Sequence, residues 1–344
     1  MGTHVLKPVV AAPMAGGAST VRLVVAVGNA GGFGFLAGGY KTPQAMAGEI
    51  RAVRAQSASP FGVNIFVPPP LLGKDAASGR RAAVAAYANA IRQSVESAEA
   101  AVGQPREDDD SWSEKIEILT AERCPVVSFS FGVPPRWVVD ALHGVGSVVI
   151  VTVTDALEAE AAVKAGADVL CVQGPGAGGH RSTHDPLRSP SNQGLVELIE
   201  ELKPSGLPLL AAGGIATEAQ VRALRGAGAA AVQLGTLFLP APESGANQHH
   251  KVALTAPWAR KTRVTRAFSG RPARGLENAF MRDFDHSAPA AYPELHHLTA
   301  PMRAQAAVDG DLDRLALWAG TGHRYARPRP AAEVVEQITG WMKD

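Results

Sequence analysis

Short apolar runs recur along this chain with stretches of helix length between them, and that alternation limits its fold more than any other feature. A run of four to eight apolar residues is too short for an amphipathic helix and suits a strand buried on both faces. Repeated strand–helix units call for a parallel sheet covered by helices. The spacing predicts strands over Val9–Pro13, Gly32–Ala37, Phe61–Phe66, Val126–Phe131, Val148–Val153, Val169–Gln173, Leu207–Ala212 and Ala230–Gly235. Between them, helices are clearest over Ala156–Ala165 and Glu218–Gly226. Thr154-Asp155 and Thr217 stand where N-caps belong, and Gly166 and Gly228 where C-caps belong. Eight strands with helices between them make a TIM (β/α)8 barrel the expected α/β architecture.

With 344 residues the chain exceeds a minimal barrel of about 250 residues. The surplus falls in two places. Residues 68–122, an insertion after the third strand, hold a helical stretch (Arg80–Ala101) and then the acidic run Glu107–Asp110, which reads as a solvated turn. Residues 240–344 begin proline-rich, become basic and end helical. The expected organisation is a barrel over 1–239 and a C-terminal cap or small domain over 240–344, packed on its mouth.

A composition of 46% hydrophobic and 19% charged residues can bury a full core, and a net charge of +1 gives no general case for nucleic acid or an acidic membrane as partner. Leu23–Tyr40 is uncharged, but its six glycines suit a helix end, a turn and a strand better than a membrane span. Cys124 and Cys171 lie in or beside apolar runs and read as buried thiols of a reducing compartment. No basic segment leads into an apolar core and cleavage site at the N-terminus, so a cytoplasmic location is expected.

Chemistry concentrates in Cys171–Ser182, CVQGPGAGGHRS. An apolar strand ends there at Gln173, and a glycine-dense loop carries His180. A group that titrates near neutrality, just beyond a strand end, sits where a parallel α/β enzyme keeps its acid/base chemistry. The alternative is a histidine tied into loop structure. Gly213-Gly214 follows the seventh strand and Gln233-Leu234-Gly235-Thr236 ends the eighth. Loops at these two places in TIM barrels commonly cradle a phosphate with backbone N–H groups, which a side chain would hold away. Gly-Gly also makes a plain tight turn. Asn64 closes the third strand with an amide that donates and accepts, as the edge of a ring bearing carbonyl and N–H groups requires. An asparagine there is otherwise a turn residue. The basic stretch Arg260, Lys261, Arg263, Arg266, Arg271 and Arg274 reads as a solvated face, with one or two members free to steer an anionic substrate or hold the cap through carboxylates.

The chain resembles the nitronate monooxygenases (the 2-nitropropane dioxygenase family), FMN-bound TIM-barrel enzymes. The resemblance rests on AAPMAGG (Ala11–Gly17), FGVNIF (Phe61–Phe66), CVQG and AGGHR around His180, AAGGI (Ala211–Ile215) and QLGTLF (Gln233–Phe238). It continues through ESGA (Glu243–Ala246), TRAFSGRPARG (Thr265–Gly275) and LWAGTG (Leu317–Gly322), the last two resembling the class I branch. It implies that Asn64, Gln173, Gly178, Gly179, Gly213, Gly214, Gln233, Leu234, Gly235 and Thr236 bind FMN, that Ala12, Pro13 and Met14 line the flavin, and that His180 stands over its reactive end. The implied reaction oxidises alkyl nitronates such as propionate 3-nitronate with dioxygen, giving a carbonyl compound and nitrite. FMN is expected over FAD, because no Rossmann G-x-G-x-x-G with an acidic ribose ligand is present. No metal is implied, and the sequence leaves a homodimer open.

Four positions depart from the family pattern: Gly176 where an acid is usual, Ser182 where glycine is usual, His184 where an aromatic is common, and His250 before Lys251 where tyrosine is common. They are expected to touch the substrate side more than the flavin side. The nearest rival is an FMN-dependent NAD(P)H reductase, acting on a quinone or an enoyl-acyl-carrier protein, on the same barrel. A flavin-free barrel resembling inosine-monophosphate dehydrogenase would want a cysteine after strand six, and Gly174–Pro190 has none. A flavin-binding partner protein without turnover is the non-enzyme reading.

Overall fold

Each barrel strand presents alternate side chains to two different cores, which is why its sequence reads as an unbroken apolar run. The computed structural model describes residues 7–70, 73–94, 102–257 and 261–343. Its strands are β1 (Val9–Ala11), β2 (Phe33–Ala37), β3 (Phe61–Phe66), β4 (Val126–Ser130), β5 (Val148–Val153), β6 (Val169–Gln173), β7 (Gly179–His180), β8 (Leu209–Ala212), β9 (Ala231–Leu234), β10 (Thr262–Thr265) and β11 (Ala273–Leu276). Eight of these close a parallel barrel in the order β1-β2-β3-β4-β5-β6-β8-β9, and β9 returns to pair with β1. Val10, Phe33, Phe35, Ile150, Cys171 and Leu210 fill the barrel interior. Val9, Leu36, Val127, Val149, Val151 and Val172 point outward into the larger core beneath the helices. The expected TIM barrel is the observed fold, with strand ends shifted by one or two residues.

The helices are α1 (Val21–Asn29), α2 (Pro43–Gln56), α3 (Lys74–Ser94), α4 (Trp112–Ala121), α5 (Arg136–Gly144), α6 (Ala156–Ala165), α7 (Leu195–Leu202), α8 (Glu218–Ala227), α9 (Gln248–Thr255), α10 (Ala279–Phe284), α11 (Glu294–Asp309) and α12 (Ala331–Met342). The capping residues behave as their chemistry requires. Asp155 accepts from the Glu158 N–H and Thr217 from the Gln220 N–H, while Gly166 and Gly228 take the left-handed conformation that ends a helix. The chain beyond β9 does two things. Helices α9 and α11 line the cavity at the barrel mouth, and α12 then returns to the outside, packing on α1 and α8 to complete the helical ring.

The insertion after β3 divides in the same way. Helix α4 lies on the barrel wall, whereas Val84, Tyr87, Ala88 and Ile91 of α3 share a core with Phe268, Phe280, Leu295 and Leu298. Arg80 bonds both the Tyr292 carbonyl and the Glu294 carboxylate, joining α3 to α11. The helical stretch expected over Arg80–Ala101 begins earlier, at Lys74, and its last residues, 95–101, lie outside the described residues, as does Arg260.

Of the acidic run, Glu107, Asp108 and Asp109 are exposed, as a solvated turn requires, and Asp110 departs from that reading. Lys115 on α4 is only 1% exposed, and the Asp110 carboxylate meets its ammonium at 2.7 Å. The same Asp110 oxygen accepts the Tyr40 N–H at 3.1 Å. Burial pushes the Asp110 pKa up and the Lys115 pKa down, and each charge opposes the other's shift. Removing one partner of a buried pair leaves an uncompensated charge, a loss of about 3–5 kcal/mol. Asp110→Asn is therefore expected to lower stability by about 3 kcal/mol in urea unfolding, and adding Lys115→Met should restore much of it. A single variant as stable as wild type would refute the role of the pair.

Candidate active site

At the C-terminal ends of the barrel strands lies a cavity of about 500 Å³, and every residue singled out from the sequence as a site residue lines it. The first strand contributes Ala12, Pro13 and Met14, whose N–H is held by Ser19 Oγ at 2.9 Å. Asn64 is buried at the end of β3, and its Nδ2 donates to Ser128 Oγ at 2.9 Å and to Ser130 Oγ at 3.2 Å. Its Oδ1 has no partner among the described residues, so it offers an acceptor to the cavity. Gln173 differs. Its Nε2 donates to the His180 carbonyl and its Oε1 accepts the Ser182 N–H at 2.9 Å, so the amide pins the loop that carries His180. Gln233 donates to Cys171 Sγ at 3.4 Å, and burial pushes that thiol up to about 12.

Gly213 and Gly214 end β8 with φ of 113° and 74°, in the left-handed region that favours glycine. A Cβ on Gly214 would fall 2.5 Å from Thr321 Oγ1 and 3.1 Å from the Gly176 Cα. The demand for glycine therefore comes first from protein packing. The Gly320-Thr321-Gly322 loop of the cap lies against both barrel loops. Thr321 N–H donates to the Gly176 carbonyl at 3.0 Å, and Gly320 N–H donates to Thr236 Oγ1 at 3.0 Å.

His180 is not on a free loop. It forms β7, which pairs antiparallel with β11 in a three-stranded cap sheet of order β10-β11-β7. Two-residue strands carry no readable periodicity, so this sheet was invisible in the sequence. His180 Nε2 lies 2.9 Å from Ser269 Oγ, and that hydroxyl donates to the Arg271 carbonyl at 3.2 Å. The single hydroxyl proton is thus used, which makes Nε2–H the donor and leaves Nδ1 as the basic nitrogen. Burial first, and then Arg271 and Arg303, push the His180 pKa down to about 3. The imidazolium form is thereby disfavoured, and His180 is held neutral.

Arg271 is 1% exposed, lies 4.1 Å over the Phe131 ring and donates to the Thr183 carbonyl at 2.6 Å. Arg266 and Arg274 donate to the carbonyls of Pro186 and Pro175. These members of the basic stretch hold the cap through carbonyls of the His180 loop and its continuation, and Arg263 meets the carboxylates of Glu277 and Asp285 within the cap.

Sequence reading missed several cavity residues. Tyr40 (φ 65°) and Phe131 (φ 75°) hold left-handed backbones beyond β2 and β4. Strain of this kind concentrates at ligand sites. His296 stacks on Tyr40 with centroids 3.9 Å apart, and Arg303 and Trp318 complete the wall. The only advance signal was LWAGTG, which contains Trp318.

The four departures do not sit together on one side. Gly176 packs on Gly214 and Thr321, and Ser182 is buried on Gln173. The His184 N–H donates to Glu158 at 2.7 Å, and its Nε2 lies 2.9 Å from the Thr152 carbonyl, so it braces the barrel wall. His250 lines the cavity, and its Nε2 is buried without a partner among the described residues. Among the described residues no group of three or more His, Cys, Asp or Glu could hold a metal, and no helix is long and apolar enough to cross a membrane.

The fold and cavity define a TIM-barrel protein with a cavity at the carboxyl ends of the strands. The sequence profile of the nitronate monooxygenase family matches residues 1–340, and the chain belongs to that family. It is 38% identical to a nitronate monooxygenase of Pseudomonas aeruginosa, over 97% of each chain. Among solved structures, nitroalkane oxidase from Streptomyces ansochromogenes aligns with a TM-score of 0.92 at 45% identity, covering 99% of this chain and 97% of that one. FabK from Thermotoga maritima aligns with a TM-score of 0.74 at 26% identity, covering 99% and 94%.

Burial holds three cavity histidines neutral: His180 at about 3, His250 at about 4 and His296 at about 2. In the unfolded chain each protonates near pH ~6.5. The unfolded state therefore binds more protons between these values, and stability that is full above pH ~6.5 declines as pH falls. The thermal midpoint is expected to drop between pH 7 and pH 5, and His250→Gln should flatten that slope. An unchanged slope would take His250 out of the explanation.

Proposed function

We propose that this protein binds FMN non-covalently at the barrel mouth and oxidises alkyl nitronates of the propionate 3-nitronate type with dioxygen, yielding a carbonyl compound and nitrite. The observation that carries this reading is one cavity lined by two glycine loops, the free Asn64 Oδ1 and a neutral His180. Membership of the nitronate monooxygenase family and the likeness to a nitroalkane oxidase support it.

The residues fit the cofactor. The Gly213-Gly214 and Gly235-Thr236 segments present backbone N–H groups with no side chain in the way of a phosphate. The His250 Nε2 is a buried polar atom without a partner among the described residues, and the Asn64 amide turns towards the same cavity. Ala12, Pro13 and Met14 would line the flavin, with Gln173, Gly178 and Gly179 holding the loop beside it and Gln233 and Leu234 below. When bound, the flavin supplies the redox chemistry between nitronate and dioxygen.

The protein's own part is to position the substrate, exclude water and move a proton. A nitronate arrives as a preformed carbanion equivalent and needs no strong base. For a neutral nitroalkane, His180 Nδ1 would take the α-proton while Ser269 and Arg271 fix the ring.

The deciding experiment is a visible spectrum of the purified protein. Heat-released cofactor should run as FMN, and anaerobic nitronate alone should bleach the flavin. Bleaching by NAD(P)H but not by nitronate would favour a reductase, and recovery of FAD would refute the cofactor assignment.

His180→Asn should retain flavin, because the phosphate and ring contacts come from other strands. Its activity on neutral nitroalkane is expected to fall about 10²–10⁴-fold, with a much smaller loss on preformed nitronate. Equal, negligible losses with both forms would mean that His180 is structural.

A further inference from the structure

Three aromatic rings close round the imidazole of His180. The Phe131 ring stands edge-on to it with centroids 5.5 Å apart, Trp318 lies at 5.8 Å and Tyr292 at 6.0 Å. Aromatic groups in contact have centroids about 4.5–7 Å apart, so no atom-sized gap remains between the imidazole and these rings. Phe131 and Trp318 line the same cavity as His180, one from the end of β4 and the other from the cap. Tyr292 backs Phe131, with centroids 5.5 Å apart.

Neither cavity ring is free to give way. Phe131 is buried and holds its left-handed backbone at φ 75°. Arg271 sits over its ring at 4.1 Å, and the Phe66 ring packs on it at 4.6 Å. Trp318 stands perpendicular to Phe268 with centroids 5.6 Å apart, and Phe268 is itself stacked on Phe280. The Trp318 backbone bridges to Gly275, where an added Cβ would fall 3.1 Å from the indole Cε3. Walls packed this closely resist even one extra methyl group.

A nitronate carbon is trigonal and holds two substituents in one plane with the nitro group. In the proposed reaction that carbon comes to His180, between Phe131 and Trp318. One substituent can extend into the remainder of the cavity. The other then points at an aromatic wall, where a hydrogen fits and a methyl group overlaps a ring.

We infer that Phe131 and Trp318 are specificity-determining residues that select primary nitronates, which keep a hydrogen on the reacting carbon, over secondary nitronates branched at that carbon. This rests on the nitronate-oxidising reading given above, deepens it to a substrate class, and is tested separately from it.

Propyl-1-nitronate and propyl-2-nitronate are isomers of equal charge that differ in branching at the reacting carbon. Steady-state kinetics on flavin-loaded wild type should give kcat/KM about 10–100-fold higher for the unbranched isomer. Trp318→Ala and, separately, Phe131→Leu each open one wall and should narrow that ratio about tenfold by raising turnover of propyl-2-nitronate. Trp318→Phe keeps a ring and should fall between wild type and Trp318→Ala. The two walls come from separate elements, so a variant that does not fold leaves the other, and the wild-type ratio needs no variant. Equal kcat/KM for both isomers in wild type overturns the inference while leaving nitronate oxidation standing. So does an unchanged ratio in the folded variants, or a ratio narrowed only by loss on propyl-1-nitronate. A flavin-loaded wild type that oxidises neither isomer overturns both.

Discussion

The site depends on three backbone segments lying closer together than side chains would allow. The loop after β6 at Gly176, the turn after β8 at Gly213-Gly214, and the cap loop Gly320-Thr321-Gly322 meet at the barrel mouth. Nearly any Cβ added along this seam would meet backbone or the Thr321 hydroxyl. Two N–H donors, those of Thr321 and Gly320, stitch it to the Gly176 carbonyl and the Thr236 hydroxyl. The phosphate-type loops of the barrel and the roof of the cavity are thereby one piece. Glycine is demanded here by packing before any ligand is considered, and the bare amides that packing leaves are what suit an anion.

Above that seam, the cavity wall combines two electrostatic choices. Its histidines are kept neutral by burial, and its guanidiniums are kept charged without acidic partners. Arg271 lies against the Phe131 ring and makes its hydrogen bond to a carbonyl, so its positive field reaches His180 unneutralised. A carboxylate in its place would have raised the basicity of His180 and favoured its protonated form. The wall therefore holds a neutral imidazole beside a field that attracts anions.

The barrel was legible because parallel strands buried on two faces leave unbroken apolar runs, and β3, β5 and β6 begin and end where the sequence placed them. The cavity residues on the barrel were legible because chemistry at strand ends interrupts those runs with Asn64, Gln173 and the glycine pairs. What could not be read depends on contacts distant in sequence. His180 becomes a strand only because Ala273 lies opposite it. Asp110 looks solvated until Lys115, buried on the next helix, requires a counter-charge. His184 looks like a neighbour of the substrate until Glu158 and Thr152 claim it. Tyr40, His296 and Arg303 carry no local motif, and only folding α11 over the mouth brings them to one wall.

The cap is sewn to the barrel at several points along the chain. Helix α3 enters it from the third strand, β7 enters from the sixth, and α12 leaves it to close the helical ring between α1 and α8. A cover hung from a single connection can swing; one anchored from several sides resists rotation about any one axis. A cover so fixed gives the barrel-mouth cavity a preset shape.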